Sequence, residues 1–180
     1  MKKQILPQED AEFQSQFLEP PDFFGIVTDK IFRCGALSPT HFSFLDLYSF
    51  KTVLFLGDDS PHPRITEYFN NREISYIRIP TRSNTNRILW RTQLDELVKM
   101  TLQYILDNDN LPVLISSPSE LLVCTVIGCL RRLQKWNVSS ILDEFRRFSS
   151  EIPQTQNINY VELFDFDLIE IPENSFLNGA

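Results

Sequence analysis

The chain has 180 residues, enough for one domain with its own hydrophobic core, and 42% of them are hydrophobic, as in a globular protein. Its 17 Lys and Arg against 24 Asp and Glu leave a net charge of −7, which argues against nucleic-acid binding and against a polybasic membrane patch. With 3 Cys, 2 His and no Cys-x-x-Cys pair, neither a disulfide framework nor a zinc site is expected, and no cofactor is implied.

Residues Met1 to Glu19 are polar and acidic with scattered apolar residues, which reads as a flexible extension or a docking arm. They lack the apolar core of a signal peptide, and no later run approaches transmembrane length. Cys34, Cys124 and Cys129 sit among apolar neighbours and read as buried free thiols of a reducing compartment, so a cytoplasmic protein is expected. Pro20-Pro21 opens the domain. Phe23 to Cys34 reads as a hairpin turning at Thr28-Asp29-Lys30. A helix entered through Ser38-Pro39 carries Phe42, Leu45, Leu47 and Tyr48.

Thr52 to Leu56 is an apolar run closed by Gly57-Asp58-Asp59, the pattern of a buried parallel strand. A brief helix over Ile65 to Asn71 and a strand over Ile74 to Ile79 follow. Leu94, Leu97, Val98, Thr101, Leu102 and Ile105 share one face of a helix from Arg91 to Leu106. Val113 to Ile115 is the next buried strand. The helix after it, with Val123, Val126, Ile127, Leu130 and Leu133, is apolar on most of its circumference until Arg131 and Arg132, which places it centrally. Amphipathic helices over Val138 to Phe148 and Thr155 to Phe164 complete the set. The stretch from Asp167 to Ala180 reads as a surface tail or a disordered one. Strands alternating with helices give a single α/β domain with a mainly parallel central sheet flanked by helices.

Four segments occur in a telling order: PPDFFGIVTDKIFRCGALSPTHFSFL, LYSFKTVLFLGDD, GCLRRLQKWNVSSILDEFRRFS and YVELFD. Together they resemble the fungal and plant atypical dual-specificity phosphatases, a tyrosine-phosphatase-like group. That group includes inositol pyrophosphate phosphatases and fungal proteins linked to oxidant-induced cell-cycle arrest. The likeness runs from about Pro20 to Asp165, which implies an extension over 1–19, a tyrosine-phosphatase-like domain over 20–166 and a tail over 167–180. It also implies a loop His-Cys-x5-Arg-Thr-Gly between strand and central helix, and a general acid after Ile79.

This chain departs from that pattern at the loop. Aligned back from Gly128, Ser116 and Ser117 fall at the His and the nucleophilic Cys, Leu122 at the Arg and Cys124 at the Gly, with the loop about one residue shorter. The degenerate positions are Ser116, Ser117, Pro118, Ser119, Glu120, Leu121, Leu122 and Val123. No Cys-x5-Arg occurs at any cysteine: Thr40, Leu130 and Lys135 stand where the arginine would follow Cys34, Cys124 and Cys129. No glycine lies between Gly57 and Gly128, and no Lys or Arg from Ser116 to Gly128.

Cysteine-based phosphoryl transfer needs a thiolate, a guanidinium fork for the equatorial oxygens, and a backbone free to curl its N–H groups inward. Here Ser119 reads as the N-cap of an ordinary helix and Glu120 complements its dipole. A carboxylate standing where a phosphate should would repel it by roughly 4 kcal/mol at ~4 Å. The segment PTRSNTNRILWRTQ after Ile79 holds no Asp or Glu. Loss of a general acid costs ~10²–10⁴-fold and loss of one oxyanion-type donor ~10²–10³-fold. No catalytic residue is assigned.

Arg72, Arg78, Arg82, Arg87 and Arg91 face the single acid Glu73 in their stretch. Arg82, Arg87 and Arg91 are therefore candidate contacts for an anion such as an inositol polyphosphate; the competing reading is a solvated loop paired with acidic surface. The leading expectation is a pseudophosphatase acting as an interaction or regulatory subunit, because fungal relatives of the resembled group occur in shared complexes. Its expected partners are proteins, paralogous phosphatase-like chains among them, with no nucleic acid and no membrane. A phosphoinositol or phosphoprotein binding module, or a residual phosphatase acting on inositol pyrophosphates or phosphotyrosine, is the alternative.

Overall fold

In the computed structural model, residues 18–81, 87–150 and 155–179 are described, without the side chains of 87–90, 168 and 179. The strands are β1 (Gly25–Thr28), β2 (Ile31–Cys34), β3 (Thr52–Leu56), β4 (Ser75–Ile79) and β5 (Val113–Ser116). They form one sheet in the order β1-β2-β5-β3-β4. The hairpin pair β1 and β2 is antiparallel, and every other pairing is parallel. β5 is central because both its faces are covered: its four residues are all buried, and Val-Leu-Ile gives the continuous branched run that such a position requires.

The helices are α1 (Phe42–Leu45), α2 (Pro63–Asn71), α3 (Arg87–Leu106), α4 (Glu120–Leu133), α5 (Val138–Arg147) and α6 (Thr155–Glu162). Strand periodicity sorts the core into two layers. Ile31, Leu54, Leu56, Ile79, Val113 and Ile115 pack against α3, α4, α5 and α6. Phe32, Cys34, Val53 and Leu114 pack against α1 and α2 through Leu45, Ile65, Tyr68 and Phe69. That second layer is largely aromatic, with Phe42 stacked on Tyr68 at 4.0 Å and Phe32 edge-on to Tyr48 and Phe50.

The predicted α/β architecture is therefore present, with two local corrections. The helix expected from Ser38 is shorter: a 3-10 turn over Pro39–His41 and α1 end it at Leu45. Two things stop it. Asp46 is drawn to Tyr68 (2.8 Å) and Arg72 (2.7 and 2.9 Å), while Tyr48 and Phe50 turn into the aromatic layer instead of continuing a helical face. The terminal segment, expected at the surface or disordered, contributes to the interior: Ile169 and Ser175 are buried, and Phe176 and Leu177 pack on the α3–α4 layer.

α4 ends on a turn that sequence periodicity does not show. Trp136 N–H donates to Arg131 O and Lys135 N–H to Arg132 O, both 2.9 Å, with Lys135 at φ 63° in the left-handed region. That is the Schellman pattern with lysine in place of the usual glycine. It folds Trp136 back so that its ring lies 4.1 Å from the Arg131 guanidinium.

Candidate functional site

The connection from β5 to α4 lies at the carboxyl ends of β2, β5 and β3, where ligands commonly bind in sheets of this kind. Ser116 and Ser117 are both buried. Ser116 Oγ donates to Gly35 O at 2.7 Å, and Ser117 Oγ donates to Leu56 O at 2.7 Å and accepts from Ser119 N at 3.1 Å. Ser117, at the position the resemblance gives to the nucleophile, thus points its proton at the end of β3. A hydroxyl held this way stitches the loop to β2 and β3.

One amide of the loop is similarly occupied. Pro118 has no N–H, and the Ser119 N–H is taken by Ser117 Oγ. Ser119 is the N-cap residue by position, but its side chain makes no capping bond, which corrects the expected cap; its own N–H donates back to Ser117 Oγ, one residue before the helix. The Glu120 carboxylate is also placed differently from expectation. It accepts from the backbone N–H (3.2 Å) and the hydroxyl of Ser150, beyond the end of α5, so it clasps that segment rather than standing free in the loop. These hydrogen bonds, with one from its own backbone N–H, outweigh burial and hold its pKa below the usual value. Leu121 and Leu122 are partly buried and Val123 is buried; none brings a charge to the loop.

All three cysteines are free and buried. Burial pushes the Cys34 thiol up to about 12 against a hydrogen bond with Ser116, and Cys124 up to about 12 against the pull of Arg33; burial likewise raises Cys129 well above its ordinary value. Cys124 Sγ lies 3.2 Å from Phe148 O, as a donor. None of the three is a thiolate near neutral pH.

Of the arginines read as an anion-binding lip, Arg82 and the side chain of Arg87 lie outside the described residues. Arg91 is exposed and borders a surface hollow with Gln156, Asn159 and Tyr160 of α6 and with Leu163 just beyond it. Arg72 pairs with Asp46 and covers the Tyr68 ring, and Arg78 reaches Asp58 O at 3.3 Å. The described arginines are thus spread over separate surfaces. The segment after β4 starts from a fixed point, because Asp58 accepts from both Thr81 N (2.9 Å) and Thr81 Oγ1 (2.5 Å).

Sequence reasoning missed the principal charged cluster. Arg33 of β2 and Arg131 of α4, both buried, share Glu144 of α5: Arg33 Nη2 to Oε1 at 2.8 Å, Arg131 Nε to Oε2 at 2.8 Å and Arg131 Nη2 to Oε1 at 3.0 Å. Arg131 also donates to Val27 O and Gln134, and Arg33 lies 3.4 Å from the Phe148 ring centroid. Burial alone would raise the Glu144 pKa; the Arg131 hydrogen bonds and both guanidinium charges reverse this and hold it low. A charged residue inside the apolar run Ile31–Cys34 was the available signal. The two histidines are helix caps: His41 Nδ1 accepts from Ser38 N and His62 Nδ1 from Arg64 N.

A model of the tyrosine phosphatase family matches residues 18–178. The chain belongs to that family. Within it, the relatives mark the atypical branch of the OCA1, DSP4 and SIW14 proteins. "Probable tyrosine-protein phosphatase DG1060" of Dictyostelium discoideum is 34% identical over 151 residues, covering 83% of this chain and 90% of the relative. Inositol diphosphatase DSP4 of Arabidopsis thaliana is 30% identical over 171 residues, covering 87% of this chain and 79% of its own. Among solved structures, the core catalytic domain of the PP-IP phosphatase SIW14 from S. cerevisiae, in complex with citrate, superposes with a TM-score of 0.74 at 26% identity. That match covers 83% of this chain and 90% of the other. No described helix is long and apolar enough to cross a membrane.

Proposed function

We propose that this member of the tyrosine phosphatase family is a pseudophosphatase, acting as an interaction or regulatory subunit with related phosphatase-family chains in the cytoplasm. The observation that carries the reading is Ser117: its hydroxyl is buried and bonded to Leu56 O and Ser119 N. Support comes from the raised thiols, from Glu120 turned to Ser150, and from a loop without Lys, Arg or Gly. Phosphate release from a diphosphoinositol polyphosphate and from an aryl phosphate tests it. The expected result is no release above buffer. Turnover in the wild type that disappears in Ser117→Ala would contradict the reading.

The relatives favour a second reading. DSP4 is an inositol diphosphatase by name and SIW14 a PP-IP phosphatase, so an inositol polyphosphate is the anion this chain would take if its site still binds one, with Arg82, Arg87 and Arg91 as candidate contacts. A residual phosphatase of this kind would be a phosphoric monoester or pyrophosphate hydrolase. Calorimetric titration with inositol hexakisphosphate separates the two: saturable heat at millimolar ligand or below supports the second reading, and its absence removes it.

A further inference from the structure

The last turn of α5 ends in two basic residues, and the chain leaves the helix directly after them. Arg146 and Arg147 are exposed, Phe148 is the C-cap, Ser149 beyond it is half-buried and Ser150 is exposed. Arg-Arg-x-Ser occurs once in the sequence, at Arg146 to Ser149. The other arginine pair, Arg131-Arg132, precedes Leu133 and Gln134, and its Arg131 is buried on Glu144. Arg146 and Arg147 are not committed in that way. Arg146 meets exposed Asp143 at 3.1 Å, a pair that contributes little, and Arg147 has no ion pair among the described residues.

Two guanidiniums, three and two residues before a hydroxyl, are what an arginine-directed protein kinase reads: carboxylates in its groove take both forks, which sets the hydroxyl against ATP. Asp143 and Glu144 precede the basic pair and Glu151 follows Ser150, so no carboxylate stands between the arginines and Ser149. Such a groove takes extended chain, so the last turn of α5 has to open. The opening is local. Phe145 is buried and keeps the helix in the core, while Phe148 is held by the Arg33 guanidinium over its ring and by Cys124 Sγ at its carbonyl.

We propose that Ser149 is phosphorylated by such a kinase and that its phosphate releases Ser150 from Glu120 at the start of α4. In the transfer, the Ser149 hydroxyl oxygen bonds to the γ-phosphorus of Mg-ATP and the bond from that phosphorus to the β–γ bridging oxygen breaks. ADP leaves, and the hydroxyl proton passes to the base of the kinase. The product carries a charge of about −1.5 to −2. It stands at the negative end of the α5 dipole and one residue from the Ser150 N–H and hydroxyl that Glu120 holds, so dipole and carboxylate both repel it. Its countercharges are Arg146 and Arg147, which draw it back along α5. That helix runs antiparallel to α4, with Phe148 at Cys124 and Glu144 at Arg131, so the pull is away from Glu120. The proposal goes beyond the reading as an interaction subunit and holds whether or not the loop hydrolyses phosphate.

The test is incubation of the full-length chain with the catalytic subunit of cyclic-AMP-dependent protein kinase and Mg-ATP, with the site mapped by peptide mass spectrometry. The expected result is one phosphate per chain, on Ser149. Ser149→Ala should stay unlabelled and Ser150→Ala should be labelled like the wild type. The double variant Arg146→Gln/Arg147→Gln should be labelled about tenfold more slowly. Both arginines are exposed, and circular dichroism confirms that this variant folds. Hydrogen exchange at the Ser150 N–H, which Glu120 protects, should speed up about tenfold in the phosphorylated chain. No phosphate on Ser149, phosphate confined to another Ser or Thr, or equal labelling of the double variant overturns the assignment of the acceptor. Unchanged exchange at Ser150 in the phosphorylated chain overturns the release from Glu120.

Discussion

The first turn of α4 and the stretch from Cys124 to Arg131 lie on one helix and are built from opposite materials. The first turn is approached through neutral hydroxyls, each bonded to backbone of a neighbouring strand or of the loop itself. The later stretch faces two buried guanidiniums and a carboxylate that join β2, α4 and α5. The chain therefore spends its buried cations on architecture, against a carboxylate of its own, and leaves the loop without one. A fold that in its relatives carries phosphatases keeps its outline here through hydrogen bonds that need no ligand.

The comparison breaks most readily at Glu144. Replacing it in Glu144→Ala leaves two buried guanidiniums facing each other, and a loss of about 3–5 kcal/mol is expected in denaturant unfolding. The same carboxylate gives a pH signature. Its folded pKa is held below the unfolded value, so its stabilisation is fully present above the ordinary carboxylate range and fades as pH falls through and below it. Wild-type unfolding free energy should drop on acidification by more than that of Glu144→Ala. Parallel curves would contradict the assignment.

The loop should be less costly to disturb. Ser117→Ala leaves Leu56 O and Ser119 N–H without their partner and is expected to destabilise by about 1–3 kcal/mol, read as a lowered midpoint with unchanged slope. Ser117→Cys restores the family's nucleophile type without guanidinium or acid, and no phosphate release is expected from it. Gly128→Ala probes the packing of α4: an added Cβ would stand 3.0 and 3.1 Å from the Val161 methyls and 3.4 Å from Ile141. A net loss of about 1–2 kcal/mol is expected, overpacking offset in part by helix propensity. Ser150→Ala, which releases Glu120, should cost about 0.5–1 kcal/mol, because the pair is exposed.

What was legible in the sequence follows from how far each feature reaches along the chain. β3 and β5 are continuous apolar runs and α4 is apolar nearly all round, so local pattern alone locates them. The missing thiol and arginine were equally plain, because they are single positions in a motif. The rest depends on partners distant in sequence. Ser117 reaches Leu56, Glu120 reaches Ser150 and Arg33 reaches Glu144, and each pair meets only once the sheet and helices are packed. That is why Ser119 looked like the capping side chain and Glu120 like a free carboxylate at the loop. The early end of α1 has the same origin, since Asp46 answers to Tyr68 and Arg72 on α2 and its C-cap.

At the start of α4 two donors that a phosphate would need are taken within the chain, the Ser119 N–H by Ser117 Oγ and the Glu120 N–H by its own carboxylate. Amide chemical shifts of Ser119 and Glu120, followed while inorganic phosphate is titrated to millimolar concentration, test this most directly. The account expects these resonances to stay where they are. Saturable shifts confined to those two amides would contradict it.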